Sequence, residues 1–142
     1  MSQQRAGDVA AARATYQDAA KDFNRQIEKA APDSFAAGLT HAFLGQAYAG
    51  LGAAPSAIAE GQKAMAIDPS SKDPVEGPVK EERMANIYAL LGDADHAIPI
   101  LKRLLEIPYG FAITPASLRT DPVWDQIRDD PRFQKLCEEK QP

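Results

Sequence analysis

Apolar residues at the start of the chain recur at alternating intervals of three and four: Val9, Ala12, Tyr16, Ala19, Phe23, Ile27 and Ala30. That is the period of one helical face. At about 1.5 Å per residue the stripe predicts a helix roughly 33 Å long. Two later stretches match each other. QAYAGLGAAPSAI from Gln46 and NIYALLGDADHAI from Asn86 lie 40 residues apart and share Tyr48/Tyr88, Ala49/Ala89, Leu51/Leu91, Gly52/Gly92, Ala57/Ala97 and Ile58/Ile98. Gly52 and Gly92 each stop a helix, because glycine takes the left-handed conformation that closes a C-terminus. Asp93 then offers a cap, and Pro55 fits a first helical turn where its missing N–H is not needed. Ala57 and Ala97 fall early in the next helix, small enough for two helices to approach closely. Each copy reads as helix, tight turn and antiparallel helix. A partial third copy sets Gly7, Ala12 and Tyr16 at the offsets of Gly52, Ala57 and Gly61. On it, residues 1–7 read as the turn of a repeat whose first helix is absent, and the chain as part of a longer protein or as beginning with a half repeat that stands as an N-terminal end.

The stretch TDPVWDQIRDDPRF holds Asp121-Pro122 and Asp130-Pro131. Aspartate, then proline, then an apolar run is a helix-start signal: the carboxylate accepts from free N–H groups and proline takes the first helical place. Two short helices are predicted, one presenting Val123, Trp124 and Ile127, the other Phe133, Leu136 and Cys137. Burying a Trp and a Phe removes about 150–250 Å² each from water, several kcal/mol at ~25 cal/mol per Å². The segment therefore reads as a lid over the last hairpin. Asp125 and Arg128, three residues apart, pair on the solvent side for about 0.2–0.5 kcal/mol. Pro99 conflicts with its surroundings, since it removes a backbone bond early in the second helix of its copy and should delay or bend it.

Composition narrows the function more than the fold. The 142 residues suit one domain, with 44% hydrophobic and 25% charged residues. The net charge of −4 is spread over both signs without a Lys/Arg run, which argues against a phosphate-backbone partner, so no nucleic acid is expected. A single cysteine, Cys137, allows no internal disulfide and reads as an inert thiol. Neither a long apolar run nor a signal-peptide pattern is present, so no membrane association and a cytoplasmic location are expected. His41 and His96 stand in different copies at different offsets. No nucleophile elbow, phosphate loop or metal-spaced Cys/His pair accompanies them. The expectation is a non-enzyme with no catalytic residue, metal or cofactor.

Leu44-Gly45, Tyr48, Ala57, Ala64 and Pro69 resemble the tetratricopeptide repeat in identity and spacing. The 40-residue copy keeps Tyr88 and Ala97 but has Met84-Ala85 for Leu-Gly and Leu104 where Ala64 stands. The family's tryptophan is replaced by His41 and Glu81, and Gly61 stands in the usual large aromatic place, which implies looser packing there. The offset exceeds the family's roughly 34 residues, the surplus falling in the connector DPSSKDPVEGP, residues 68–78. The resemblance implies an all-α, helical-hairpin α-solenoid of about 2.5 repeats: a half repeat at 7–31, repeats near 34–69 and 76–109 within residues 1–112, and capping helices and tail over 113–142. The C-terminal phrase is also similar to the tail of repeat arrays in large bacterial signalling proteins of the serine/threonine kinase or adenylate cyclase type.

By the same resemblance, the first helix of each hairpin lines a concave side that holds a peptide or helix. Leu39, Ala42, Gln46, Val79, Arg83 and Asn86 would line it. Gln46 and Asn86 are equivalent positions suited to hydrogen-bond a peptide backbone. Only Arg83 and Asn86 approach the Lys, Arg and Asn pattern with which family members clamp a chaperone's C-terminal tail. The expected function is a protein–protein interaction scaffold, with a protein or peptide partner. The alternative is homo-oligomerisation, for instance a homodimer, through the 9–30 helix or an open N-terminal repeat end.

Overall fold

The computed structural model describes residues 3–110 and 112–138. Eight helices and no strand occur among the described residues: α1 (Gln3–Lys29), α2 (Phe35–Gly50), α3 (Ala54–Ile67), α4 (Gly77–Leu90), α5 (Ala94–Leu104), α6 (Pro115–Thr120), a 3₁₀ segment (Pro122–Ile127) and α7 (Pro131–Glu138). Consecutive helices pack as pairs. α2 lies against α3, α4 against α5, and the two pairs meet through α2 and α3 on α4.

The turns of the two pairs are the same structure 40 residues apart. Gly52 and Gly92 sit at φ 77° and 74°. In the first copy Ala53 N–H donates to Tyr48 O (2.9 Å) and Gly52 N–H to Ala49 O (3.0 Å); in the second, Asp93 N–H donates to Tyr88 O (2.8 Å) and Gly92 N–H to Ala89 O (3.0 Å). This double bond pattern closes the last helical turn and needs a residue that tolerates positive φ. Asp93 then caps α5 by accepting from His96 N–H at 3.1 Å, while Pro55 lies in the first turn of α3.

Positions 41 and 81, equivalent in the two copies, each reach a polar partner across their own hairpin. His41 Nδ1 meets Glu60 Oε2 at 2.5 Å, and Glu81 meets Arg103. Gly61 does not mark loose packing, contrary to the sequence reading. A Cβ there would run into Met84 Sδ and Ile87 Cδ1, both buried in the next hairpin. The volume that an aromatic at 61 would fill is filled from α4 instead.

Three expectations at the chain's start and at Pro99 need correction. Residues 3–7 are not a turn: α1 runs from Gln3 straight through Gly7, whose surroundings are open, so no neighbour forces the chain to reverse. Residues 1–2 lie outside the described part. The stripe predicted on this helix divides in two. From Tyr16 onward it packs as a hairpin neighbour should, with Tyr16, Ala19, Phe23 and Ile27 around Ala20, Leu44 and Ala47. The Tyr16 ring lies on Gly50, the last residue of α2, and residues 6–15 before it are exposed and overhang. Val9 is 58% exposed. Pro99 does not delay α5, which runs Ala94–Leu104; it stands on the exposed side, where the carbonyl left without its bond can meet water.

The C-terminal segment closes the last hairpin as its pattern suggests. Trp124 (2% exposed), Ile127, Phe133 and Leu136 form one buried cluster with Ala85, Ala89, Leu101 and Leu104. The Trp124 and Phe133 rings are 6.3 Å apart. Asp121 accepts from Val123 N–H (3.0 Å) and Asp130 from Arg132 N–H (2.9 Å). One helix was not foreseen: α6, started by a reciprocal cap between Thr114 and Ser117. Its C-terminal end explains Arg128. That guanidinium donates to the carbonyls of Leu118 (2.9 Å), Arg119 (2.9 Å) and Asp121 (2.8 Å) besides Asp125 Oδ1. It satisfies carbonyls that a helix end leaves free, a larger role than a surface ion pair.

Candidate functional site

α1 and the 3₁₀ segment stand as two walls on either side of α2 and the end of α4. Between them runs a groove of about 430 Å³ lined by Tyr16, Ala19 and Phe23 of α1, Phe43, Gln46 and Ala47 of α2, Leu90 of α4, and Pro122 and Val123. Its lining is predominantly apolar, the composition expected where a ligand's apolar surface is to be covered. Phe23 and Phe43 stack with centroids 5.8 Å apart, and the Arg83 guanidinium lies 5.1 Å from the Phe43 ring centre, within cation–π range. Gln46 is the one amide in the lining.

A second, smaller cavity of about 260 Å³ opens between α4 and the cap. Glu82, Arg83, Asn86, Ser117, Asp121 and Trp124 contribute to its walls. Here the lining is polar. Burial pushes the Glu82 carboxyl above its ordinary range, against the opposing effect of the hydrogen bond it accepts from Tyr109 and of the nearby Arg83 charge. The Tyr109 hydroxyl donates to Glu82 Oε1 at 2.9 Å and accepts from Ile113 N–H at 3.1 Å, and burial holds its own proton more tightly than usual. Asn86 is 5% exposed. Its Oδ1 and the Nε of Arg83 are buried without a hydrogen-bond partner among the described residues.

The six residues expected on the concave side separate into three groups. Gln46 lines the groove, and Arg83 and Asn86 line the polar cavity. Leu39 and Val79 are half-buried and line neither. Ala42 is 0% exposed and is no contact surface: α2 is enclosed by α1, α3 and α4, and its groove-facing position is Phe43, one residue on. Phe43 keeps the spacing of three from Gln46 and four from Leu39, so the face was legible and its exact bearing was not. Glu82, Asp121 and the groove roles of Tyr16, Phe23, Leu90 and Val123 went unforeseen. Phe23 and Tyr16 had a signal as members of the α1 stripe, and Val123 and Asp121 as parts of the cap; that they and Glu82 and Leu90 line cavities depends on where the cap returns.

His96 pairs with Asp93 (2.7 Å) and stacks on Tyr88 (4.9 Å) at an exposed helix start. Burial raises the Cys137 thiol above its usual range, which disfavours the reactive thiolate. Among the described residues, no three His, Cys, Asp or Glu side chains gather as metal ligands would, and no helix is long and apolar enough to cross a membrane. No protein-family model, curated protein or solved structure matches this chain.

Proposed function

We propose that the chain is a non-enzymatic interaction module of the tetratricopeptide kind, a short α-solenoid whose groove holds an extended peptide or a helix. The reading is supported most by the aromatic, open-ended groove walled by α1 and Pro122–Val123. The sequence repeat and its two identically closed hairpins add to it. Stacked aromatic side chains give a partner large contact area at low conformational cost, and Gln46 supplies one point of orientation. Panning a random peptide library on the protein, then titrating an enriched peptide into ¹⁵N-labelled protein, tests the reading. The expected shifts centre on Phe43, Gln46, Leu90 and Val123. Enriched peptides that map elsewhere, or no enrichment, would contradict it.

A second reading, self-association, is favoured by one observation: residues Ala6–Thr15 of α1 are exposed throughout, with Val9 among them. An overhang of this kind fits a second copy laid alongside it. Light scattering over a range of concentrations tests it. A monomer at every concentration removes the reading, whereas a dimer that Val9→Lys disperses supports it.

A further inference from the structure

The polar cavity has the chemistry to hold a cation. Glu82 and Asp121 bring two carboxylates to it against the single guanidinium of Arg83, which is drawn over Phe43 on the groove side. Each carboxylate has one oxygen engaged, Glu82 Oε1 by Tyr109 and Asp121 Oδ1 by Val123 N–H; a carboxylate offers about four lone-pair sites, so acceptor capacity is left over. Asn86 adds a deeply buried amide oxygen that makes no hydrogen bond among the described residues, not even with the equally unpartnered Nε of Arg83 in the same lining. Such an atom costs free energy until a donor reaches it. Trp124 borders the cavity while its ring is packed in the core. Burial is the main cause that keeps Glu82 reluctant to ionise, and the repulsion of Asp121 adds to it against the larger opposing pull of Arg83.

We propose that this cavity receives an arginine side chain of the partner, its guanidinium, with five N–H donors, donating to Glu82, Asp121 and Asn86. The cavity adjoins the groove, for Val123 lines one and Trp124 the other. A groove-bound peptide would thus carry its arginine where the chain passes the 3₁₀ segment. That placement rests on the groove reading; the cavity's preference for a cation does not, and it is tested without any groove ligand.

Trp124 is the only tryptophan, so its indole N–H gives one unambiguous signal in a ¹H–¹⁵N spectrum of the full chain. Nα-acetyl-arginine N-methylamide should move that signal saturably, while the glutamate derivative should leave it in place. Glu82→Gln, which keeps an acceptor for Tyr109, should weaken the arginine response about ten-fold, the loss expected when one charge-assisted hydrogen bond goes. Asp121→Asn, which keeps the cap on Val123, should weaken it as well. A response to the glutamate derivative alone would show that Arg83 governs the cavity and would overturn the proposal. So would no response to either probe, or a full arginine response in both folded variants. If the arginine probe fails while panned peptides still map to the groove, the cavity proposal falls and the groove reading stands.

Discussion

Asp68→Asn is the substitution whose cost the structure sets most sharply. Lys80 is 0% exposed, and its Nζ donates to a single carboxylate among the described residues, Asp68 Oδ2 at 3.0 Å; beneath it lies the Phe35 ring, 3.9 Å to the centroid. Lys80 also sits in the first turns of α4, where the helix dipole disfavours a cation. At 3 Å and an effective dielectric of 20, the pair's Coulomb attraction is about 5.5 kcal/mol. The amide in Asp68→Asn can still accept a hydrogen bond but carries no charge. Leaving a buried charge without its counterpart costs about 3–5 kcal/mol, a large share of the ~5–15 kcal/mol that holds a domain together. In thermal unfolding followed by circular dichroism, Tm should fall by roughly 10–15 °C at some 3 °C per kcal/mol. Lys80→Met removes the other charge and leaves Asp68, 17% exposed, able to reach water. It should cost less than about 1.5 kcal/mol, and adding it to Asp68→Asn should restore about 2 kcal/mol or more. A loss below 1 kcal/mol for Asp68→Asn, or a double variant no more stable than the single one, would refute the reasoning.

Arg128→Ala should lower stability by about 2–3 kcal/mol in urea unfolding, because the carbonyls ending α6 lose charge-assisted donors. Asp125→Ala should cost only about 0.5 kcal/mol; equal losses would mean that the ion pair, and not the carbonyl bonds, matters. Gly61→Ala gains helix propensity yet should destabilise by about 1–2 kcal/mol through contact with Met84, and combined with Met84→Ala the two should cost less than their sum; a stabilised Gly61→Ala would contradict the close approach. Glu82 titrates above its ordinary value of 4.5, so the folded state holds that proton more tightly than the unfolded one. Stability should therefore decline as pH rises from about 4.5 through the raised value. Glu82→Gln should flatten that decline and raise stability at neutral pH, and an unchanged pH profile would count against the burial of this carboxyl.

What the sequence disclosed was local and periodic. The turns at Gly52 and Gly92, the caps at Asp93, Asp121 and Asp130, and the inward side of the Trp124 segment all follow from backbone chemistry within a few residues. Lys80–Asp68 was invisible, since a lysine in a helix reads as solvated until the connector is seen folding back on it. Arg128 was half visible: its spacing to Asp125 is local, whereas the carbonyls it serves belong to a helix found only by its Thr114–Ser117 cap. The concave face was assigned by helical spacing alone. That spacing brings Gln46, Arg83 and Asn86 to cavities but rotates Ala42 into the interior, because three neighbours around α2 leave only a narrow strip of it open. Gly61 misled for the same reason, as the residues that fill its place come from the next hairpin.

The groove itself is tested most directly by the affinity of a library-selected peptide for Phe43→Ala, with circular dichroism confirming that the helices persist. Phe43 contributes to the floor and stacks on both Phe23 and Arg83, so its truncation should weaken binding at least ten-fold, about 1.4 kcal/mol or more. Val9→Lys on the overhang of α1 should leave that affinity unchanged. Undiminished binding to Phe43→Ala, or a loss on Val9→Lys instead, would contradict the account.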